Sequence, residues 1–348
     1  MKVARFAIPL VVALALVMTL IPACAQPAAQ TKIHWDVSLF GPPRALTYPI
    51  RDWAETMGKE TNGLWEIQLH YGEVLAPSKD QLDGLKSGLF QVALWAPMYN
   101  PGKTPLHTSL EMAFFAPGTI PQIGQWIWEI GKQPAMVKEL DTWNAQLLFP
   151  SPLPQYQFMG KKAIRTTDDL KGMRIRAAAE MGKPLEKYGA VLVMVPAPET
   201  YSALEKGMVD SILFVWTYTF VSYKLYELSK YATIDVDAGT TGMQVAVNKT
   251  AWNALPKEWQ EKSTKWVEAN IVNLYDKYNG DDDAKNLPLF KQAGIEIIKF
   301  PPAEKAKLLQ HADTLWNEWA AKMDSQGLPG KQILEFGKAT RAKVEGKK

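Results

Sequence analysis

The most definite chemistry in this chain belongs to Arg176, which closes an alternating run, Met173-Arg174-Ile175-Arg176, that reads as a strand. A guanidinium presents a planar fork to two carboxylate oxygens and stays charged when partly desolvated. At a strand end it can hold an anionic ligand or make a structural salt bridge to a nearby Asp or Glu, and the residues alone leave both open. Other chemistry is sparse. His34, His70, His107 and His311 share no metal-ligand spacing and read as surface or satisfied histidines, so neither metal nor cofactor is expected. Asp281-Asp282-Asp283 lacks the spaced oxygen ligands and closing Glu of a calcium loop and reads as a solvated turn. No serine sits in a nucleophile elbow and no glycine-rich phosphate loop follows a strand, so no catalytic residue is assigned. A carboxylate-processing enzyme would need a base near Arg176, for which Asp210 is the candidate.

The elements that must position Arg176 follow from the flanking sequence. Thr166-Thr167-Asp168-Asp169-Leu170 can cap a short helical turn that Gly172 ends before the strand. A helix around Met181 to Tyr188, an apolar strand Ala190 to Val195, a helix opened by Pro198 and Glu199, and a strand from Val209 complete a β-α-β-α-β order. Strands apolar on both faces and joined by helices indicate a parallel sheet covered on both sides, with ligands beyond the carboxyl ends of the strands. The same order occurs earlier. Strand Thr31–Phe40, the turn Gly41-Pro42-Pro43-Arg44, a helix through Trp53 closed by Gly63, strand Leu64–Tyr71, helix Pro77–Ser87 and strand Leu89–Trp95 repeat it. Leu85-Lys86-Ser87-Gly88-Leu89-Phe90-Gln91 lines up with Leu204-Glu205-Lys206-Gly207-Met208-Val209-Asp210, each a helix end, glycine cap and strand start. A paired-lobe architecture follows if the repeat is real.

Met1 to Ala25 has a basic start, an apolar stretch Phe6–Pro22 and the small residues Ala23-Cys24-Ala25, the pattern of a cleaved secretory leader. A lipidated Cys24 is the other way such a leader can be processed. Cys24 is the only cysteine, so ordinary cleavage leaves neither disulfides nor thiolate metal sites. Removing Lys2 and Arg5 leaves 37 basic against 36 acidic residues, a net charge of +1, and no nucleic-acid partner is implied. With 47% hydrophobic residues the chain must stand on its core, and its length suggests two lobes. Between them, Ile120–Trp143 reads as a helix, Leu147–Leu153 and Thr240–Asn248 as two crossings, Thr250–Tyr278 as a helix interrupted near Pro256, and Gly294–Phe300 as a further strand.

These segments together resemble the extracytoplasmic solute receptor of a tripartite ATP-independent periplasmic (TRAP) transporter, over roughly Lys32 to Ser325. The phrase Lys162-Ala163-Ile164-Arg165-Thr166-Thr167-Asp168-Asp169-Leu170-Lys171-Gly172, followed by the strand ending in Arg176, is the most specific part. Val245-Ala246-Val247-Asn248-Lys249 with Trp252 and Leu255-Pro256, and Tyr201-Ser202-Ala203-Leu204 with Gly207 and Asp210, are similar to two further family segments. The resemblance implies an α/β, two-lobed periplasmic binding protein (type II-like), each lobe a mixed, mostly parallel sheet flanked by helices, with crossing strands at the hinge. Residues 31–152 plus 241–280 would form lobe I, and 153–240 plus 281–348 lobe II. It further implies a periplasmic monomer that closes on an organic acid and delivers it to TRAP membrane permease subunits driven by an ion gradient, with Arg176 holding the ligand carboxylate.

Two departures shape the expected ligand. Gln155 stands where many members have a second basic residue, and Leu213 and Phe214 where many have a Glu-Asn pair. A cleft edged by Phe214, Trp216, Trp95 and Phe40 offers apolar faces to a bulky or aromatic body. Phe214 could instead turn into the core and leave Trp216 alone in the cleft. Arg44 is the alternative second cation, and at a turn such a residue is more often solvated. A monocarboxylate is therefore expected over a C4-dicarboxylate.

Overall fold

A computed structural model describes residues 31–347; the leader segment, Met1–Ala25 with Cys24, lies outside them. The strands among the described residues are β1 (Ile33–Ser38), β2 (Trp65–His70), β3 (Val92–Trp95), β4 (Ala145–Pro150), β5 (Tyr156–Gly160), β6 (Arg174–Arg176), β7 (Val191–Val193), β8 (Ser211–Val215), β9 (Tyr231–Ile234), β10 (Gln244–Asn248) and β11 (Glu296–Lys299). They form two sheets, ordered β2-β1-β3-β10-β4 and β11-β9-β5-β8-β6-β7.

The two sheets share a plan. Read from one edge, the parallel trio β2-β1-β3 matches the parallel trio β7-β6-β8, and each trio is followed by one antiparallel strand, β10 in the first sheet and β5 in the second. The internal repeat is therefore present in topology as well as in sequence. The antiparallel strands are those entered from the crossings. Segments 151–155 and 235–243 run side by side, with Ser151 N donating to Met243 O at 3.0 Å and Tyr156 N to Gly239 O at 2.9 Å.

Helices cover both sheets: α1 (Tyr48–Glu60), α2 (Gln81–Ser87), α3 (Ile120–Gly131), α4 (Pro134–Asp141), α5 (Ala179–Glu186), α6 (Thr200–Glu205), α7 (Tyr218–Ser222), α8 (Lys249–Ala254), α9 (Lys257–Gln292), α10 (Pro302–Leu309), α11 (Ala312–Ser325) and α12 (Gly330–Val344). None is long and apolar enough to cross a membrane. One face of the first sheet packs on α1 and α9, where Trp65 stacks on Trp259 at 6.1 Å and Trp53 Nε1 donates to Ser263 Oγ at 3.0 Å. On the other face Ala93 and Trp95 pack on Leu82 and Leu85 of α2.

Three expectations are corrected. The helix expected over Ile120–Trp143 is two, α3 and α4, because the second opens at Pro134, which cannot sit inside a helix without removing a hydrogen bond. Its tryptophans divide accordingly: Trp126 is fully buried and donates to Gly337 O, whereas Trp128 and Trp143 are half-buried beneath the ammonium groups of Lys132, Lys86 and Lys103. Asp281–Asp283 is no turn; α9 runs 36 residues straight through it. The C-terminal stretch does not all follow the second sheet. β11 joins that sheet, but Ile333 and Leu334 of α12 pack with Ile123, Trp126 and Ile130 of α3, which follows the first sheet's β3 in the chain.

Asp210 supplies a measurable part of the second sheet's stability. Its carboxylate accepts from Arg174 Nε and Nη2 at 3.0 and 2.9 Å and from Arg174 N at 3.0 Å, with Lys162 Nζ 3.0 Å away, pinning the start of β6 to that of β8. It is thus no free base beside Arg176. The hydrogen bond from Arg174 holds its carboxyl well below the usual carboxylate range, against the opposing effect of burial. A depressed folded value means the contribution is complete above about pH 4 and is lost as pH falls through that value. Asp210→Asn should cost about 1–2 kcal/mol at pH 7, since Arg174 and Lys162 are half in water, and the deficit should shrink below about pH 4 in urea titrations. A deficit independent of pH would show that packing and not charge is responsible.

Candidate ligand-binding site

Arg176 ends β6, and the chain turns there into α5, so its side chain stands beyond the carboxyl end of a parallel strand. It is 0% exposed. Nε donates to Val195 O at 3.1 Å, two residues past the neighbouring strand β7, and Cζ lies 4.2 Å from the centroid of the Phe214 ring. Both Nη atoms have no hydrogen-bond partner in the protein. Among the described residues no carboxylate pairs with it. Phe214 is in turn framed by Tyr156 and Phe220 edge-on and by Tyr223 lying parallel at 6.2 Å.

The first sheet supplies the opposite wall. Phe40, just after β1, is fully buried and meets Tyr99 edge-on at 5.7 Å; Tyr99 Oη accepts from Ala197 N at 2.9 Å, joining the segment after β3 to the one after β7. Arg44 is 2% exposed and not the solvated turn residue expected. Its Nη1 donates to Phe40 O and Pro42 O at 3.0 and 2.7 Å, and its guanidinium lies between the Phe40 and Tyr223 rings at 5.6 and 5.5 Å. The aromatic faces desolvate it while two carbonyls satisfy one nitrogen.

The structure thus brings together Arg176, Phe214, Phe40 and Arg44, and separates three other expected residues from them. Gln155 lies on a crossing segment but turns away, donating to Pro117 O at 2.8 Å and lining a recess with Arg341 and Lys305. Trp95 belongs to the cluster on α2 and packs edge-on against His107, because alternation along β3 sends it to the face opposite Leu94. Trp216 packs on Phe290 of α9 and on Phe220, while Phe214 takes the guanidinium, the reverse of the arrangement feared from sequence.

Helix α9 ties both walls. Asp282 Oδ2 accepts from Ala45 N at 3.3 Å, next to Arg44, and Asp283 Oδ1 accepts from Thr217 Oγ1 at 2.6 Å, next to Trp216. Burial pushes both carboxyls up. Tyr99, Tyr156, Tyr223 and Glu111 escaped sequence reasoning. Tyr99 could have been found, since Trp95-Ala96-Pro97-Met98-Tyr99 follows a parallel strand as surely as Arg176 ends one.

A buried guanidinium whose two Nη donors have no internal partner, walled by aromatic rings from two sheets that two crossings join, fits a two-lobed solute-binding protein. The chain belongs to the bacterial extracellular solute-binding protein family 7, whose model it matches over residues 47–323. The function that goes with the family is binding and not catalysis, and the TRAP resemblance holds. A monocarboxylate 2-oxoacid-binding periplasmic protein of Nostoc sp. (strain PCC 7120) is 28% identical over 302 residues, 84% of this chain and 80% of that protein. The fold matches a TRAP solute-binding protein of Rhodoferax ferrireducens T118, solved with copurified benzoate, at TM-score 0.80 and 22% identity, over 90% of this chain and 99% of that one. It also matches a marine metagenome TRAP protein in complex with 3-hydroxybenzoate, at TM-score 0.79 and 21% identity, over 90% and 99%.

These positions separate Phe214 from Trp216 experimentally. Phe214→Leu removes the ring against Arg176 and should weaken ligand binding by about 1–2 kcal/mol, roughly tenfold. Trp216→Phe should change affinity less than about threefold on the same scale while lowering the melting temperature. Calorimetry of both variants checks this, and the opposite ranking would move Trp216 into the cleft.

Proposed function

We propose that this chain is the extracytoplasmic receptor of a TRAP transporter that captures an organic monocarboxylate with an apolar or aromatic body between its lobes and passes it to membrane permease subunits. The observation behind this reading is the buried Arg176 fork, whose two Nη donors have no partner in the protein and whose face is covered by Phe214. A carboxylate moved out of water loses hydration that such a donor pair can replace. The phenyl and phenol rings around it offer a ligand body flat apolar contact. One charge is favoured because Arg44, the second buried cation of the cluster, already spends Nη1 on two carbonyls. The family's monocarboxylate-binding relative and the benzoate-bound structural neighbour support the same choice. Export through the leader read in residues 1–25, lobes divided at the crossings, and a monomeric receptor belong to this reading.

A C4-dicarboxylate is the second reading, and the burial of Arg44 favours it, since a second carboxylate would meet a cation already out of water. Calorimetry with benzoate, phenylpyruvate and succinate separates the two. Tighter binding of an aryl acid is expected, with Arg176→Met weakening it by roughly 2–4 kcal/mol, thirty-fold to a thousand-fold, and leaving the ligand-free melting temperature unchanged or higher. Tighter succinate binding that Arg44→Met abolishes would make Arg44 the second anchor and the ligand a dicarboxylate.

A further inference from the structure

The rim of the cleft contains a contact of unusual closeness between its two walls. Gly41 follows β1 and has φ +73°; a Cβ there would overlap the Tyr223 hydroxyl and stand 2.7 Å from Arg44 Nη1. Tyr223, just after α7, belongs to the other wall. Its hydroxyl has no hydrogen-bond partner in the protein, and burial pushes it up to about 12, so it stays protonated. Its ring lies parallel to Phe214, and Phe214 lies on Arg176. A continuous stack therefore runs from the rim to the guanidinium. Beside it a cavity of about 360 Å³ opens between Gly41 and Tyr71 on one wall and Pro198 and Tyr223 on the other, so this is where the walls meet solvent.

The geometry points to Gly41 and Tyr223 as a closing pair that sets ligand affinity: Tyr223 fits under the bare backbone of Gly41 only when the walls meet, and its ring then holds Phe214 against the Arg176–carboxylate pair. This rests on the carboxylate reading above. Tyr223 is a positioning residue acting through Phe214. Any side chain at position 41 takes the space of its hydroxyl and tips the ring out of the stack. Closure is thereby coupled to the anchor through direct contacts.

The test needs a glycine with the same backbone demand and no neighbour. Gly88, at φ +75° with no heavy atom within 4 Å of a Cβ position, serves. Both variants force alanine into the left-handed region, and Gly41→Ala also crowds Arg44 Nη1 within its own wall, so it should lose at least as much stability in urea as Gly88→Ala. Gly41→Ala alone should bind benzoate at least about tenfold more weakly, through faster dissociation, and Tyr223→Phe added to it should recover part of the loss by removing the overlapping oxygen. Nitroxide labels on cysteines placed at exposed Lys79 and Lys206 report closure separately, and Gly41→Ala should add longer distances with benzoate present. Equal benzoate affinity and equal distance distributions for the two alanine variants would overturn the pair. Absence of heat from the wild type with benzoate would count against the carboxylate reading itself. The label distances of the two ligand-free variants then decide the closing pair, a shift confined to Gly41→Ala supporting it and identical distributions overturning it.

Discussion

A guanidinium with no exposure to water must be compensated, and within this protein Arg176 has one hydrogen bond, from Nε to Val195 O, and one aromatic face. Neither matches what a buried charge loses in hydration. The remaining requirement falls on the two Nη atoms, a donor pair whose geometry suits two parallel charge-assisted hydrogen bonds to a carboxylate. Much of the surrounding structure reads as support for that one residue. The strand end fixes its Cα, the segment just after β7 holds Nε, and the rings around Phe214 hold the aromatic face under the guanidinium.

The repeated sheet plan explains how two walls can be both fixed and separable. Each sheet gains its one antiparallel strand from a crossing, so the chain is anchored deep in each lobe on either side of the same short pair of segments. Helix α9 adds a third tie at a different height. Through Asp282 and Asp283 it fixes the backbone beside Arg44 and beside Trp216, two loops that carry or flank the site. In a mid-helix position these acids have no macrodipole to satisfy, and their partners are what keep them out of the solvent.

Much of this was legible in the sequence, and for identifiable reasons. Arg176, the two β-α-β-α-β runs and the crossings rest on period-two alternation, caps and strand order, which are local and survive folding. The failures are tertiary. Alternation says that Trp95 and Leu94 face opposite sides, but not which side carries the cleft. Phe214 and Trp216 share a face only while the strand continues, and β8 ends at Val215. Asp281-Asp282-Asp283 reads as a solvated turn because it lacks the spaced ligands of a calcium loop; the partners that two of these acids find at Ala45 and Thr217, more than sixty residues away in sequence, leave no local trace. Tyr223 gave no local signal at all, since Gly41 and Arg44, which it meets across the site, lie far away in sequence.

The buried acidic groups near Arg176 do not pair with it. Glu111 is buried near Arg176 and would be its natural internal partner, yet its Oε1 accepts from Met98 N at 2.7 Å and no hydrogen bond joins it to the guanidinium. Burial drives its carboxyl well above the usual range and the proximity of Glu180 adds to that, while Arg176 pulls the other way and is outweighed. Tyr99 and Tyr156 are likewise raised by burial and stay neutral. The desolvation that raises these groups is the same one that makes an unpaired guanidinium costly. Among the described residues no acidic side chain pairs with Arg176, and in a low-dielectric setting an unpaired guanidinium attracts an anion more strongly than the same arginine would at a wet surface.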